Sequence, residues 1–155
     1  MSQWFVAGLV AAQAVACGEE TKTEIILVVD TDMAVPGELD SVDVEYTDPR
    51  GYTTSTSHHV PTPDAWPVVQ RLVLEGTLLE PYTIQVVGRR REIGRIDRYA
   101  VGSFVKDQTV VLTVHLLKDC LFRNCPLGET CGEPGCHSYN ISSDEYEPWT
   151  GTPRG

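Results

Sequence analysis

Four cysteines within seventeen residues, Cys120, Cys125, Cys131 and Cys136 of CLFRNCPLGETCGEPGC, hold the densest chemistry of this 155-residue chain. Their C-x4-C-x5-C-x4-C spacing admits two uses. In an oxidising compartment it makes two disulfides that staple a segment too small for a core of its own, with three connectivities open. As thiolates the same four could ligate zinc, although zinc sites usually set paired ligands about two to four residues apart and C-x4-C stands at that limit. Two disulfides and no metal are the expectation.

The second concentration is cationic. GRRREIGRIDRY, residues 88–99, carries Arg89, Arg90, Arg91, Arg95 and Arg98 against Glu92 and Asp97. Gly88 and Gly94 bracket the first arginines, which predicts a hairpin whose turn lies near Glu92 to Gly94. An arginine fork matches carboxylate and phosphate, so Arg89, Arg90, Arg91 and Arg95 are candidate anion-binding residues, with a phosphate-bearing or acidic surface glycan as the fitting ligand. The plainer use of these side chains is pairing with the acids of residues 19–64, worth about 0–1 kcal/mol for each exposed pair.

The remaining titratable groups form no catalytic pattern. His58 and His59 share a polar stretch with Asp64, but adjacent residues of an extended chain point to opposite sides. His115 falls in a strand-like run and His137 follows Cys136. The chain has no G-x-S-x-G, no H-E-x-x-H and no phosphate loop, so the reading is a non-enzymatic protein without cofactor. Asp30, Asp32, Glu38 and Asp40 flank Pro36-Gly37. A calcium site would need about six to eight oxygens and an EF-hand spacing is absent, so a solvated acidic turn is expected.

Strands must position all of this. TEIILVV (23–29), SVDVEY (41–46), VVQRLVLEG (68–76), YTIQVVG (82–88), RIDRYAV (95–101) and TVVLTVHLL (109–117) are short β-branched or alternating runs between Gly, Pro and Asp punctuation. Alternation puts Val42, Val44 and Tyr46 on one face, and Val110, Leu112, Val114 and Leu116 on another. TTSTSHHVPTPDAWP (53–67) is too polar and Pro-rich for a core strand and reads as an edge strand or a long loop. About seven strands at this spacing predict an all-β antiparallel sandwich, immunoglobulin-like or transthyretin-like, over residues 23–118, with a closed barrel as the alternative.

The net charge of −10 argues against a nucleic-acid partner, whose footprint is a basic domain. From Trp4 to Ala16 the chain carries no charge, and the run stops at Cys17-Gly-Glu-Glu. A membrane-spanning helix needs about 20 apolar residues, so this run is too short to cross and reads as the apolar core of an export signal. Ala14-Val15-Ala16-Cys17 resembles the lipobox of bacterial lipoproteins, in which the peptide is cleaved before an acylated cysteine. Plain secretion and an apolar helix packed on the domain are the other readings.

This signal, the stretch ILVVDTDMAVPGELDSVDVEY, the strand-rich middle and HLLKDCLFRNCPLGETCGEPGC together resemble the predicted cell-surface lipoproteins of myxobacteria. That resemblance implies a cell-envelope location and carries no catalytic residues. The expected organisation is a signal peptide over 1–16, a tether over 17–22, the sandwich over 23–118, a Cys-rich segment over 119–137 and a flexible tail over 138–155. The expected role is a lipid-anchored binding or adhesion module that meets an envelope protein or an anionic glycan. The alternatives are a structural or accessory subunit of an envelope assembly and, behind it, a secreted enzyme. Intact-mass analysis of membrane-extracted protein is expected to show a chain beginning at Cys17 with added acyl mass, and Cys17→Ser to block that processing.

Overall fold

A computed structural model of the chain describes residues 22–74 and 79–151, so Cys17 and the whole of the expected signal peptide lie outside the described residues. The domain is a β-sandwich. Its strands are β1 (Glu24–Thr31), β2 (Ser41–Thr47), β3 (Thr53–His59), β4 (Val68–Val73), β5 (Tyr82–Arg90), β6 (Ile93–Gly102), β7 (Thr109–Leu116), β8 (Glu129–Gly132), β9 (Gly135–Ser138) and β10 (Glu147–Pro148). One sheet has the order β10-β7-β1-β4, the other β3-β2-β5-β6, and β8-β9 form a separate hairpin.

The alternation read in the sequence sets which faces turn inward. Val42, Val44 and Tyr46 of β2 meet Tyr82, Ile84 and Val86 of β5 and Val110, Leu112, Val114 and Leu116 of β7 in one buried core. β1 behaves differently because it lies in the middle of its sheet. Ile25, Leu27 and Val29 enter the shared core, while Ile26 and Val28 on the other face are also buried. Burial on both faces explains its unbroken apolar run, and β1 pairs with β7 in parallel as well as with β4 antiparallel.

Glu24 opens β1 as a buried carboxylate. It accepts hydrogen bonds from Arg71 Nη1 of β4 at 2.9 Å and from Thr109 Oγ1 of β7 at 3.1 Å. Both neighbours of β1 are thereby tied to one anion.

The polar run 53–59 is the edge strand β3, paired only with β2. The four cysteines form Cys120–Cys131 and Cys125–Cys136, the interlocked choice among the three connectivities, and no thiol of this set is left to bind zinc. Cys120 and Cys131 are buried in the core cluster, so the first bond fastens the Cys-rich segment to the sandwich. The second lies nearer the surface, with Cys136 exposed.

Residues 138–151 differ from the flexible tail expected of their composition. Tyr139 O and Val101 N bond at 2.8 Å, Ile141 N donates to Val101 O at 2.8 Å, and β10 then pairs with β7. The segment thus crosses from the edge of one sheet to the edge of the other and closes that side of the sandwich. Tyr146 anchors the crossing. Its hydroxyl donates to Ser103 O at 3.0 Å and lies 2.7 Å from the hydroxyl of fully buried Tyr82. A phenol has one hydrogen, so Tyr82 donates to Tyr146. Burial, together with the Tyr146 contact, raises the Tyr82 phenol far above its ordinary value. A Cβ on Gly102 would stand 2.4 Å from the Tyr146 oxygen and 2.6 Å from that of Tyr82, so only glycine admits the pair.

Tyr146→Phe strands the buried Tyr82 donor, and the expected loss is about 1–3 kcal/mol in urea unfolding. Tyr82→Phe/Tyr146→Phe removes both partners and should cost no more than Tyr146→Phe alone.

Candidate functional site

The arginine-rich hairpin is present, but its turn is Arg91-Glu92 rather than Glu92 to Gly94. Both residues have positive φ, 49° and 66°, as a two-residue hairpin turn of the twist-matching kind requires. Gly94 lies in β6 opposite Arg89, and the register shifts beside it, so that Arg95 has no residue facing it on β5. This bulge turns the arginines in different directions.

Arg89 Nε forms an ion pair with Asp43 of β2. Arg90 Nη1 donates to Pro36 O at 2.8 Å, and its Nε lies 3.8 Å from Asp40. Arg91 is exposed, and its backbone N–H donates to Asp40 at 2.8 Å. That bond is the main cause holding the Asp40 carboxyl below its usual value. Arg95 lies over the ring of Phe122 at 5.2 Å. The four candidate anion-binding residues therefore do not converge on a ligand. Arg89 and Arg90 serve the plainer role, neutralising acids of the 19–64 segment.

The other candidates are dispersed as well. His58 Nε2 meets Gln70 at 3.2 Å, while His59 and Asp64 are exposed. In the acidic turn, Asp32 accepts from Lys118 N at 2.7 Å, and Glu38 accepts from Ala34 N at 2.9 Å and pairs with Lys118 Nζ at 2.5 Å. Asp40 faces the hairpin and Asp30 lies 3.8 Å from His115 Nδ1. These carboxylates shape the turn and share no focus. No cluster of three or more His, Cys, Asp or Glu able to hold a metal occurs among the described residues.

A different arginine heads a built crevice. Arg98 sits between Ile96 and Ala100, the buried, inward-facing residues of β6, where the side of the sandwich opens toward β7. Its Nη1 donates to His115 O at 3.2 Å, its Nε, like that of Arg95, is buried without a hydrogen-bond partner, and no carboxylate of the described residues lies within ion-pair distance of it. Burial lowers the Arg98 guanidinium below its ordinary value, and Glu145 opposes that shift. The crevice, about 330 Å³, is lined by Arg98, Thr113, His115, Glu133, His137 and Glu145 over Leu117.

The disulfide-held hairpin forms one of its walls. His137 Nδ1 donates to Gly135 O at 3.1 Å, which leaves Nε2 as the other polar atom of the ring. A Cβ on Gly132 would stand 2.4 Å from His137 Cε1 and 2.6 Å from Arg98 Nη1, so this glycine lets the hairpin seat against the arginine. The arrangement can take a carboxylate or phosphate at Arg98 while Glu133 and Glu145 accept from hydroxyls beside it. The alternation in RIDRYAV carried the one available signal, since it places Arg98 on the same face as Ile96 and Ala100. Linear charge density pointed to the turn instead.

Comparison with protein families, with curated proteins and with solved structures found no match.

Asp43 provides a check on the paired hairpin. Its burial would raise the carboxyl, but the hydrogen bond from Ser57 and the charge and hydrogen bond of Arg89 outweigh that and hold it low. A lowered folded-state value stabilises the fold above the unfolded carboxyl pKa, about 3.9, and the gain is lost as pH falls through the folded value. Asp43→Asn is expected to lower stability by up to about 1 kcal/mol at neutral pH, the pair being partly exposed. In thermal melts the gap from the parent should close below about pH 4.

Proposed function

We propose that this chain is a lipid-anchored, non-enzymatic binding module of a bacterial cell envelope, and that it takes an acidic glycan in the Arg98 crevice. The observation that carries the binding role is Arg98 itself. A guanidinium half-buried on the inner face of a sandwich, with Glu145 acting on it through charge but no carboxylate of the described residues within ion-pair distance, can take an anionic group. The surrounding groups favour a uronate-type sugar over a bare anion, because Glu133 and Glu145 would repel a second negative charge but accept hydrogen bonds from sugar hydroxyls.

The export reading supports the same role. The disulfides belong to an oxidising compartment, and the uncharged run ending at Cys17 has the form of a lipoprotein signal. Lipid attachment at Cys17 would leave the stapled domain displayed at a membrane surface. A second reading, an accessory subunit of an envelope assembly, is favoured by one separate feature, the bare edge of β3.

Titration calorimetry of the full-length chain in non-ionic detergent with uronate oligosaccharides should show binding that neutral oligosaccharides of equal length do not. Arg98→Met, which keeps the apolar stem, is expected to weaken it at least about tenfold, consistent with loss of a charge-assisted hydrogen bond. Arg91→Met should bind like the parent. Equal binding by the Arg98 and Arg91 variants, or no uronate binding by the parent, overturns the assignment.

A further inference from the structure

We infer that a second crevice, at the end of the sandwich where β6 stops and β1 starts, binds an anionic phospholipid, with an acyl chain on its apolar floor and the phosphate at Lys106. The choice of a lipid rests in part on the attachment proposed at Cys17, and the crevice is separate from that of Arg98.

The crevice, about 510 Å³, falls within the usual range of small-ligand pockets, about 300–1,000 Å³. Its floor is apolar and continuous with the core. Phe104 belongs to the core cluster, and Val105, Ile141 and Tyr146 pack against that cluster. The Tyr146 hydroxyl is already engaged by Ser103 O and Tyr82, so it offers a ligand no free proton. A hydrocarbon chain laid on this floor would take its apolar surface out of water.

The rim selects the headgroup. Lys106, Asn140 and Ser143 stand there, all three exposed. No carboxylate lines the crevice, Lys106 is its single charged lining residue, and that ammonium makes no ion pair among the described residues. On a chain of net charge −10, a lining with a cation and no acid is a local reversal of sign. Lysine binds phosphate as a point charge, and the Asn140 amide and Ser143 hydroxyl can donate beside it. An apolar floor below a cationic, hydrogen-bonding rim matches an amphiphile with an anionic head.

The chain itself brings this end to its ligand. Asp107 N, next to Lys106, donates to Thr23 Oγ1 at 2.9 Å, so the polypeptide leaves the domain toward Cys17 beside the crevice. Thr23 follows Cys17 by six residues, a reach of at most about 22 Å. An acylated Cys17 therefore keeps the crevice close to a bilayer, where phospholipid is the abundant amphiphile.

The test is photo-crosslinking of the full-length chain in non-ionic detergent micelles doped with phosphatidylglycerol that carries a diazirine in one acyl chain. Label is expected in peptides covering residues 101–106 and 140–146, and unlabelled phosphatidylglycerol should displace it. Lys106→Glu is expected to cut that labelling about tenfold, as loss of the charge-assisted contact requires. Ser143→Trp, at an exposed position, should fill the crevice and abolish the label while leaving the thermal midpoint near the parent's. Arg98→Met and Cys17→Ser should label like the parent, which separates this site from uronate binding and from lipid attachment. Label confined to residues 1–16, labelling that survives Ser143→Trp, or displacement by neutral diacylglycerol as effective as by phosphatidylglycerol overturns the inference.

Discussion

The carboxylate of Glu24 is where this domain is tied together. It stands at the start of the central strand and holds Arg71 of β4 on one side and Thr109 of β7 on the other. Thr109 is 85 residues away in sequence, so the sheet is completed only when the far part of the chain has returned to its beginning. Ordering so long a loop costs entropy before any contact repays it, which makes the apolar faces of β1 the stabilising partner of that closure. Arg71 in turn lies over the ring of Trp149, 5.8 Å from its centre, so the last residues of the domain join the same group. Removing the carboxylate would leave Arg71 its contact with Trp149 alone and β1 held by its ladders and its buried faces.

Closure at the other side of the sandwich follows from the same topology. With β7 beside β1 and β6 at the end of the opposite sheet, the gap between β6 and β7 is left open by the first seven strands. The Cys-rich segment begins directly after β7, and Cys120–Cys131 sets it over that gap. The following residues pass along β6, place Tyr146 on Tyr82, and end as β10 on β7. A seal built of a disulfide-held hairpin and a crossing segment, rather than of another strand, leaves room for the Arg98 crevice. The disulfide-held hairpin and the crevice are therefore one structural solution.

Charge is segregated along the chain and mixed in space. Acids dominate residues 19–64 and arginines residues 89–98, and the antiparallel pairing of β2 with β5 sets Asp43 against Arg89, while the turn before β2 brings Asp40 to Arg90 and Arg91. Pairing of this kind quiets the hairpin as a binding surface. Arg98 escapes it because its place in the alternation sends it inward, away from the acidic strand.

The sequence by itself determined the class of fold and the positions of six of the sandwich strands, because period-two alternation and turn residues act locally and need no partner to be read. It determined that Val42, Val44 and Tyr46 share a face and that β3 is too polar for a core strand. It also marked the four cysteines as a bonded set, since their density exceeds what so small a segment could use in a core. Tertiary structure alone decided the disulfide connectivity, the parallel pairing of β1 with β7, the shift of the hairpin turn to Arg91-Glu92 and the docking of residues 138–151. Each of these depends on which distant segments meet, and linear spacing holds no record of that. The same reason sets Arg98 apart from the hairpin arginines: charge density is visible along a chain, whereas a place between Ile96 and Ala100 at the head of a crevice exists only once two sheets have closed around the side chain.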